Sequence, residues 1–365
     1  MSTTGVGVIG GSTSGWASVA HLPAIMASPD FELRAVSTTR ASSASAAGTA
    51  YGVPGYDNHR DLIAHPGVDL VVVSVKVAHH RALVRDALRA GKMVMSEWPL
   101  GVDLSEAHEM AELADATGVR TVINMQGRYA PEVQYARDLV RDGYVGRVLG
   151  TTLVGSGMVW GPRVPTARQA YQYDKAEGAS PLTSPTLHAL DPLHVVLGEF
   201  ATLSANLVHG LRDVHVDEDG GSLPVSVADQ VALIGTLTSG AAASVFYRGG
   251  ASRGDNLRWE INGTEGDLVI TSAWGNLQVA DLTLAGGRGA DAQVSPLAVP
   301  ASYLGGVGPD VPRMGANVAR LYESLARDLS ERTHTVPDFR HALARHRLVD
   351  TIEQASASGT AQRVG

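Results

Sequence analysis

The sequence predicts an α/β fold in which an N-terminal doubly wound parallel sheet is followed by an α+β domain built on a large, open, mainly antiparallel sheet. Three observations carry this expectation. Up to about residue 125, short apolar runs at 4–10, 32–37, 69–75, 93–96 and 120–123 alternate with helical stretches at about 15–28, 40–50, 79–90 and 103–117, the spacing of βαβ crossovers. The first run feeds a Gly-rich turn. Beyond 126, period-two alternation appears at 147–155, 201–210, 229–238, 242–248, 257–263 and 266–271, as expected of strands joined by hairpins. The chain is therefore divided into residues 1–125 and 126–365.

Taken in order, Val6-Gly-Val-Ile-Gly-Gly-Ser-Thr-Ser-Gly-Trp-Ala17 runs from a buried strand through the turn into an Ala-rich helix. Such a turn aims backbone N–H groups and a helix N-terminus at one point, where a dinucleotide pyrophosphate sits in a Rossmann domain. Its form is Gly10-x-Ser12-x-x-Gly15, with Thr13, Ser14 and Trp16 beside it, so a small hydroxyl residue replaces the second glycine. A tight βα turn with no ligand stays open on these residues alone.

The second strand ends Ala35-Val-Ser-Thr-Thr-Arg40, with no carboxylate to hold a ribose 2′-hydroxyl. Thr38, Thr39 and Arg40 suit a 2′-phosphate, because guanidinium offers a permanent charge and a planar fork. NADP(H) is expected ahead of NAD(H); a helix starting near Ser37 with a solvated Arg40 is the alternative. Ligands of open parallel sheets bind beyond the C-terminal strand ends. That singles out Val75, Lys76 and His80 after one strand, Glu97 and Trp98 after the next, and Gln126 after the last.

The remaining elements have their own signals. Leu83, Val84, Ala87 and Leu88 give one helix a buried stripe, stopped by Gly91. Asp103 and Glu106 form a capping box for the helix to 117, which Gly118 ends. In the second part a helix at 131–142 stops at Gly143, Thr238-Ser-Gly240 reads as a hairpin turn, and 284–309 as a long Gly-rich loop. Helices at 316–330 and 338–356 close the chain. The polar and aromatic stretch 151–190 contains Trp160, Arg163, Tyr171, Tyr173 and His188, and is expected to form a substrate pocket wall.

Composition narrows the function classes. With 365 residues, 44% hydrophobic and 18% charged, the chain has the makeup of a globular protein with more than one core. The net charge of −8, without a basic stripe, argues against nucleic acid. No run reaches the length of a membrane span and no signal peptide is evident, so a cytoplasmic protein is expected. Zero cysteines exclude thiol chemistry and thiolate metal sites, and the thirteen histidines show no metal-ligand spacing, so no metal is expected.

With these residues noted, the chain resembles the Gfo/Idh/MocA oxidoreductase family over nearly its whole length, and its Gal80-like branch most closely. The matching segments are Gly10–Gly15 with Trp16-Ala17, His21-Leu-Pro23, Lys76–His80, Glu97-Trp-Pro99, His188-Ala-Leu-Asp191 and Trp259-Glu-Ile-Asn-Gly-Thr-Glu-Gly266. The resemblance implies a bound nicotinamide cofactor, a substrate-binding and oligomerisation domain in 126–365, and a homodimer or homotetramer formed through the C-terminal sheet. Two of the family's three catalytic positions differ. Its lysine falls on Trp98 and its aspartate on Ser184, while its histidine is His188.

Asp191, one helical turn on, is placed to orient that imidazole, and Lys76 to replace the lost charge. Three readings follow. The first is an NADP(H)-dependent oxidoreductase of a sugar-like or natural-product carbonyl or alcohol, with His188 moving the proton, aided by Lys76 or Tyr173, and Trp98, Trp160, Arg163, Tyr171 and Tyr173 around the substrate. The second is a cofactor-containing enzyme of redox-neutral elimination, cyclisation or isomerisation. The third is a cofactor-sensing regulator without catalysis.

Overall fold

The computed structural model describes residues 3–365 and contains two compact units. One comprises the residues up to Gln126 together with Gly305–His346; the other comprises Gly127–Leu304 and Arg347–Gly365.

In the first unit, β1 (Thr4–Ile9), β2 (Phe31–Ser37), β3 (Gly55–Tyr56), β4 (Leu70–Val73), β5 (Met93–Glu97) and β6 (Thr121–Asn124) form a six-stranded sheet in the order β3-β2-β1-β4-β5-β6. Every pairing is parallel. This is the doubly wound arrangement, with its switch point between β1 and β4. The central strands read as unbroken apolar runs because both faces are covered: Val71, Val72 and Val73 are all fully buried.

The helix expected over 15–28 is two helices, Trp16–Val19 and His21–Ala27. Pro23 explains the break: it has no N–H to give the Val19 carbonyl, and its ring crowds that carbonyl. Asp103 caps the helix Leu104–Thr117 by accepting from the Glu106 amide at 2.9 Å. The returning bond of the box goes instead from the Val102 amide to Glu106, at 3.1 Å.

Residues 305–346 lie with this unit and not with the rest of 126–365, because their backbone joins β6. The Ile123 amide donates to the Pro337 carbonyl at 2.9 Å, and the Phe339 amide to the Thr121 hydroxyl at 3.2 Å.

The second unit is built on a nine-stranded sheet. Its strands include β7 (Val148–Ser156), β9 (Phe200–Val208), β12 (Gln230–Leu237), β13 (Ala242–Arg248), β14 (Leu257–Gly263), β15 (Gly266–Ser272) and β16 (Thr283–Arg288), with short edges β17 (Ser295–Pro296) and β18 (Gln362–Arg363). The order is β17-β16-β15-β14-β7-β13-β12-β9-β18, and only the β7–β13 pairing is parallel. Val231, Leu233 and Leu237 share its buried face, and the Thr238–Gly240 turn joins β12 to β13 with Gly240 at φ 88°.

β16 runs through the segment expected to be loop. Gly286 permits it, since a Cβ there would sit 2.7 Å from Leu297 and 2.9 Å from the Tyr144 hydroxyl. A smaller sheet of β8 (Arg163–Val164), β10 (Asp213–Val216) and β11 (Ser222–Pro224) has its own core of Trp160, Val164, Tyr173, Val214, Val216 and Val227.

Candidate functional site

Within the first unit, the C-terminal ends of β1 and β2 open into a cleft of about 850 Å³. Its floor is the Gly-rich turn. Gly10 adopts φ 87°, and a Cβ there would lie 2.1 Å from the Ser74 carbonyl oxygen, so the close passage of β1 past β4 requires glycine. The Gly10 and Gly11 amides both donate to the Ser37 carbonyl, at 2.9 and 3.2 Å, and the Ser12 amide donates to Gly10. Among the described residues, the amides of Thr13, Ser14 and Gly15 have no acceptor. These three exposed N–H groups form a small anion-binding nest. The four-residue helix that follows adds little macrodipole, so the nest supplies the positive end that the sequence assigned to a longer helix.

The cleft continues past Thr38, Thr39, Arg40 and Ser43 to Asp57, Asn58 and His59. The Thr38 hydroxyl meets the Ser43 hydroxyl at 2.7 Å, and the helix after Arg40 begins at Ala41, so Arg40 stands ahead of it. Its side chain is exposed, and among the described residues it has no hydrogen-bond or ion-pair partner. Tyr51 reaches back to the turn and donates to the Ser12 carbonyl at 3.1 Å. Val75 lines the cleft with Ala78 and His79.

Further along the strand ends, polar atoms are buried without a partner in the protein: Ser74 Oγ, Asn124 Oδ1 and Gln126 Oε1. A buried acceptor or hydroxyl left unpaired is costly. Three of them at the C-terminal ends of a parallel sheet mark ground suited to a polar ligand.

Between them lies Glu97, whose Oε1 accepts from Trp16 Nε1 and Asn124 Nδ2, each at 2.9 Å, and faces His21 Nε2. His21 Nδ1 is 3.0 Å from the Tyr322 hydroxyl, which donates to it when Nε2 carries the proton. Burial alone would raise the Glu97 pKa; the His21 contact, with help from Asn124 and Trp16, reverses this and holds it below the usual carboxyl value. Burial also pushes the Tyr322 phenol well up.

His80 is fully buried, with Nε2 3.1 Å from the Val75 carbonyl and Nδ1 3.0 Å from that of Pro99. It ties two strand-end loops together, a support role in place of the cofactor contact expected from sequence. Burial lowers its pKa against the pull of those carbonyls. Trp98 is buried too, its ring tilted 53° against His346 at 4.8 Å, and burial takes His346 down to about 4. Lys76 is exposed at the start of the short turn Val77–His79.

In the second unit, His188 is 5% exposed in the first turn of the helix Leu187–Leu197. The preceding turn, Leu182–Thr186, is a π-helix with Pro185 inside it. Proline cannot donate to the Pro181 carbonyl, so the next amide, Thr186, does so at 3.1 Å, and its hydroxyl adds a bond at 2.7 Å. Pro192 likewise deprives the His188 carbonyl of its helical donor. The sequence thus places His188 between two interrupted turns. Asp191 forms a buried ion pair with Arg128, with Nε at 2.8 Å.

The expected pocket wall is dispersed. Tyr173 is in the core of the small sheet, its hydroxyl donating to the Gly161 carbonyl at 3.0 Å, and burial pushes its pKa up to about 12. That phenol is committed and does not suit proton transfer. Trp160 is in the same core and donates to the Gln172 carbonyl at 2.7 Å. Arg163 is exposed and paired with Asp217, and Tyr171 is half-buried.

Two family models match consecutive parts of the chain. Residues 4–125 match the oxidoreductase family with NAD-binding Rossmann fold, and residues 131–272 match the C-terminal domain of Gal80p. The chain joins a Gfo/Idh/MocA Rossmann domain to a Gal80p-like C-terminal domain. Among the relatives, a dehydrogenase, aclE of Aspergillus oryzae, is 36% identical over 179 residues, 48% of each chain, so the match spans about half of that protein's length. The galactose/lactose metabolism regulatory protein GAL80 of Saccharomyces cerevisiae is 26% identical over 98% of this chain and 94% of its own.

A crystal structure of a super-repressor mutant of that protein has the same fold, with TM-score 0.89, 23% identity and coverage of 100% and 98%. Levoglucosan dehydrogenase in complex with NADH also shares it, with TM-score 0.82, 21% identity and full coverage of both chains. The chain is thus similar to dehydrogenases and to a regulator alike. No helix among the described residues is long and apolar enough to cross a membrane.

Proposed function

We propose that the chain is an NADP(H)-dependent oxidoreductase acting on a carbonyl or alcohol of a sugar-like or natural-product small molecule. The observation that carries the cofactor part is a cleft of the first unit, with the unpaired amides of Thr13, Ser14 and Gly15 at one end and the unpaired Arg40 at the other. The free amides suit a pyrophosphate, and Arg40 with Thr38, Thr39 and Ser43 suits a 2′-phosphate. Asp57 in the same cleft is the one feature favouring unphosphorylated ribose, whose hydroxyl it would accept.

A bound nicotinamide would supply the hydride. The protein's own part is to hold the nucleotide on the nest and move the hydroxyl proton, for which His188 is the assigned acid/base. Its neighbour Asp191 keeps Arg128 paired. Lys76 is the assigned cation for developing oxyanion charge, since Trp98 stands where the family has lysine.

His188→Ala should leave NADP+ affinity within twofold and lower turnover about a hundredfold or more, read by nicotinamide absorbance with a reactive carbonyl panel. Unchanged turnover would remove His188 from the mechanism. The similarity to GAL80 over nearly the whole chain favours one second reading, a cofactor-sensing regulator. Tight NADP+ binding with no hydride transfer across the panel would select it. A redox-neutral enzyme would instead turn substrate over without stoichiometric NADP(H).

The oligomer is proposed to form through the exposed sheet face, where Val154, Phe246 and Ile234 are 42%, 38% and 65% exposed and Phe246 is paired directly with Val154. Light scattering should give a dimer or tetramer, and Ile234→Asp should shift the mass to the monomer.

A further inference from the structure

The cation expected of a 2′-phosphate site stands at the end of β2, but the cleft wall opposite is built by the strand the sequence hides. β3 is only two residues long, paired in parallel with the end of β2 through Val36↔Gly55 and Ser37↔Tyr56. The Thr38 amide extends the ladder by donating to the Tyr56 carbonyl at 3.0 Å. The residues after Tyr56 are thereby laid alongside Thr38, Thr39 and Arg40, and Asp57, Asn58 and His59 line the same cleft.

Asn58 has its donors and acceptor taken. Its Oδ1 accepts from the Asp61 amide at 2.9 Å, and its Nδ2 donates to the Asp61 carboxylate at 2.7 Å. His59 is different. Its Nε2 is 2.9 Å from Asp86 Oδ2, its side chain is 26% exposed, and among the described residues its Nδ1 has no partner.

Asp86 is a firm anchor. It is held as a carboxylate below its usual pKa, chiefly by the bond from His59, with Arg85 and Arg60 at 3.6 and 3.7 Å adding to this. With Nε2–H directed at that carboxylate, a second proton on the ring can only be on Nδ1, the nitrogen left for the cleft. An imidazole between a carboxylate and a phosphate monoester is doubly charge-assisted. Asp57 would repel the same phosphate, so a second hydrogen-bonding partner beside Arg40 offsets the acid in this cleft.

We infer that His59, oriented by Asp86, is a specificity-determining residue that recognises the 2′-phosphate of the adenosine ribose together with Arg40. This rests on the reading of the cleft as a dinucleotide site, and it adds a determinant contributed by β3 in place of the second strand alone.

Titration calorimetry of the whole 365-residue chain with NADP+ and with NAD+ tests it, using wild type, His59→Gln and Asp86→Asn. His59→Gln should weaken NADP+ by about five- to tenfold and leave NAD+ within twofold, as expected for loss of one charge-assisted hydrogen bond. Asp86→Asn should weaken NADP+ in the same sense but less, again sparing NAD+. A merely structural role for His59 would move both nucleotides together. An equal shift for the two, or no shift in His59→Gln, with wild type still binding NADP+, overturns the assignment of His59 alone. Failure of wild type to bind either nucleotide overturns the dinucleotide reading and this inference with it.

Discussion

Gly10→Ala should reduce nucleotide affinity by at least fiftyfold and destabilise the first unit by about 3–5 kcal/mol, combining left-handed strain with an overpacked strand end. The new methyl would start 2.1 Å from the Ser74 carbonyl oxygen, and φ 87° is a conformation L side chains rarely adopt. Neither problem is solved by a rotamer change, because both atoms in conflict are fixed to backbone. Relief requires the end of β1 to move away from β4, which carries the Thr13–Gly15 amides out of their shared direction.

Gly15→Ala is the informative contrast. Gly15 has φ 96° and ψ −169°, also glycine territory, but a Cβ there meets nothing within 4 Å. It should therefore cost stability less than Gly10→Ala, since only local strain is added. Calorimetric titration with NADP+ and a thermal melt of the two variants read this directly. Retention of affinity within threefold by Gly10→Ala would mean that the turn does not hold the nucleotide.

Much of this architecture is legible in the sequence. The parallel strands announced themselves because burial on both faces forces continuous apolar runs, as at Leu70–Val73, and the hairpin at Thr238–Gly240 because the turn requires a positive φ that Gly240 supplies. Features fixed by a single missing N–H are present in the sequence but carry no periodic signal: Pro23 splits the first helix, and Pro185 forces the π-turn before His188.

Other elements left no periodic signal. β3 is two residues long, too short to alternate, yet it delivers Asp57 and His59 to the cleft. β16 is disguised by glycines whose purpose is close packing against Tyr144 and Leu297. Side-chain roles were least legible. Tyr173 and His80 are chemically capable residues, and only the depth of their burial and their carbonyl partners show that they brace the structure. The Glu97 cluster draws on positions 16, 21, 97, 124 and 322, a convergence that no local spacing encodes.

Asp328→Ala should destabilise the first unit by about 3 kcal/mol at neutral pH, through loss of a buried carboxylate that satisfies several donors at once. Asp328 is 1% exposed near the end of the helix Ala316–Glu331. Its oxygens accept from the Thr333 hydroxyl, the Thr335 hydroxyl and the Thr335 amide, each at 2.7 Å, and from the Val336 amide at 2.9 Å. These bonds shape the turn that lays Pro337 and Phe339 beside β6.

Burial would raise its pKa, but the donors outweigh this and bring it down to about 2 from the ordinary 3.8. A folded-state pKa below the unfolded one means the carboxylate's contribution is complete above about pH 5 and fades as pH falls through 3.8 toward 2. That contribution is about 2 kcal/mol. The stability gap between wild type and Asp328→Ala should therefore be widest near pH 7 and narrow steadily below pH 4. Amide exchange at Ile123, whose N–H is bonded to Pro337, reports on this turn without requiring the two units to unfold together. A gap that stays constant from pH 7 to pH 3 would show that Asp328 acts through packing alone, with its charge contributing nothing.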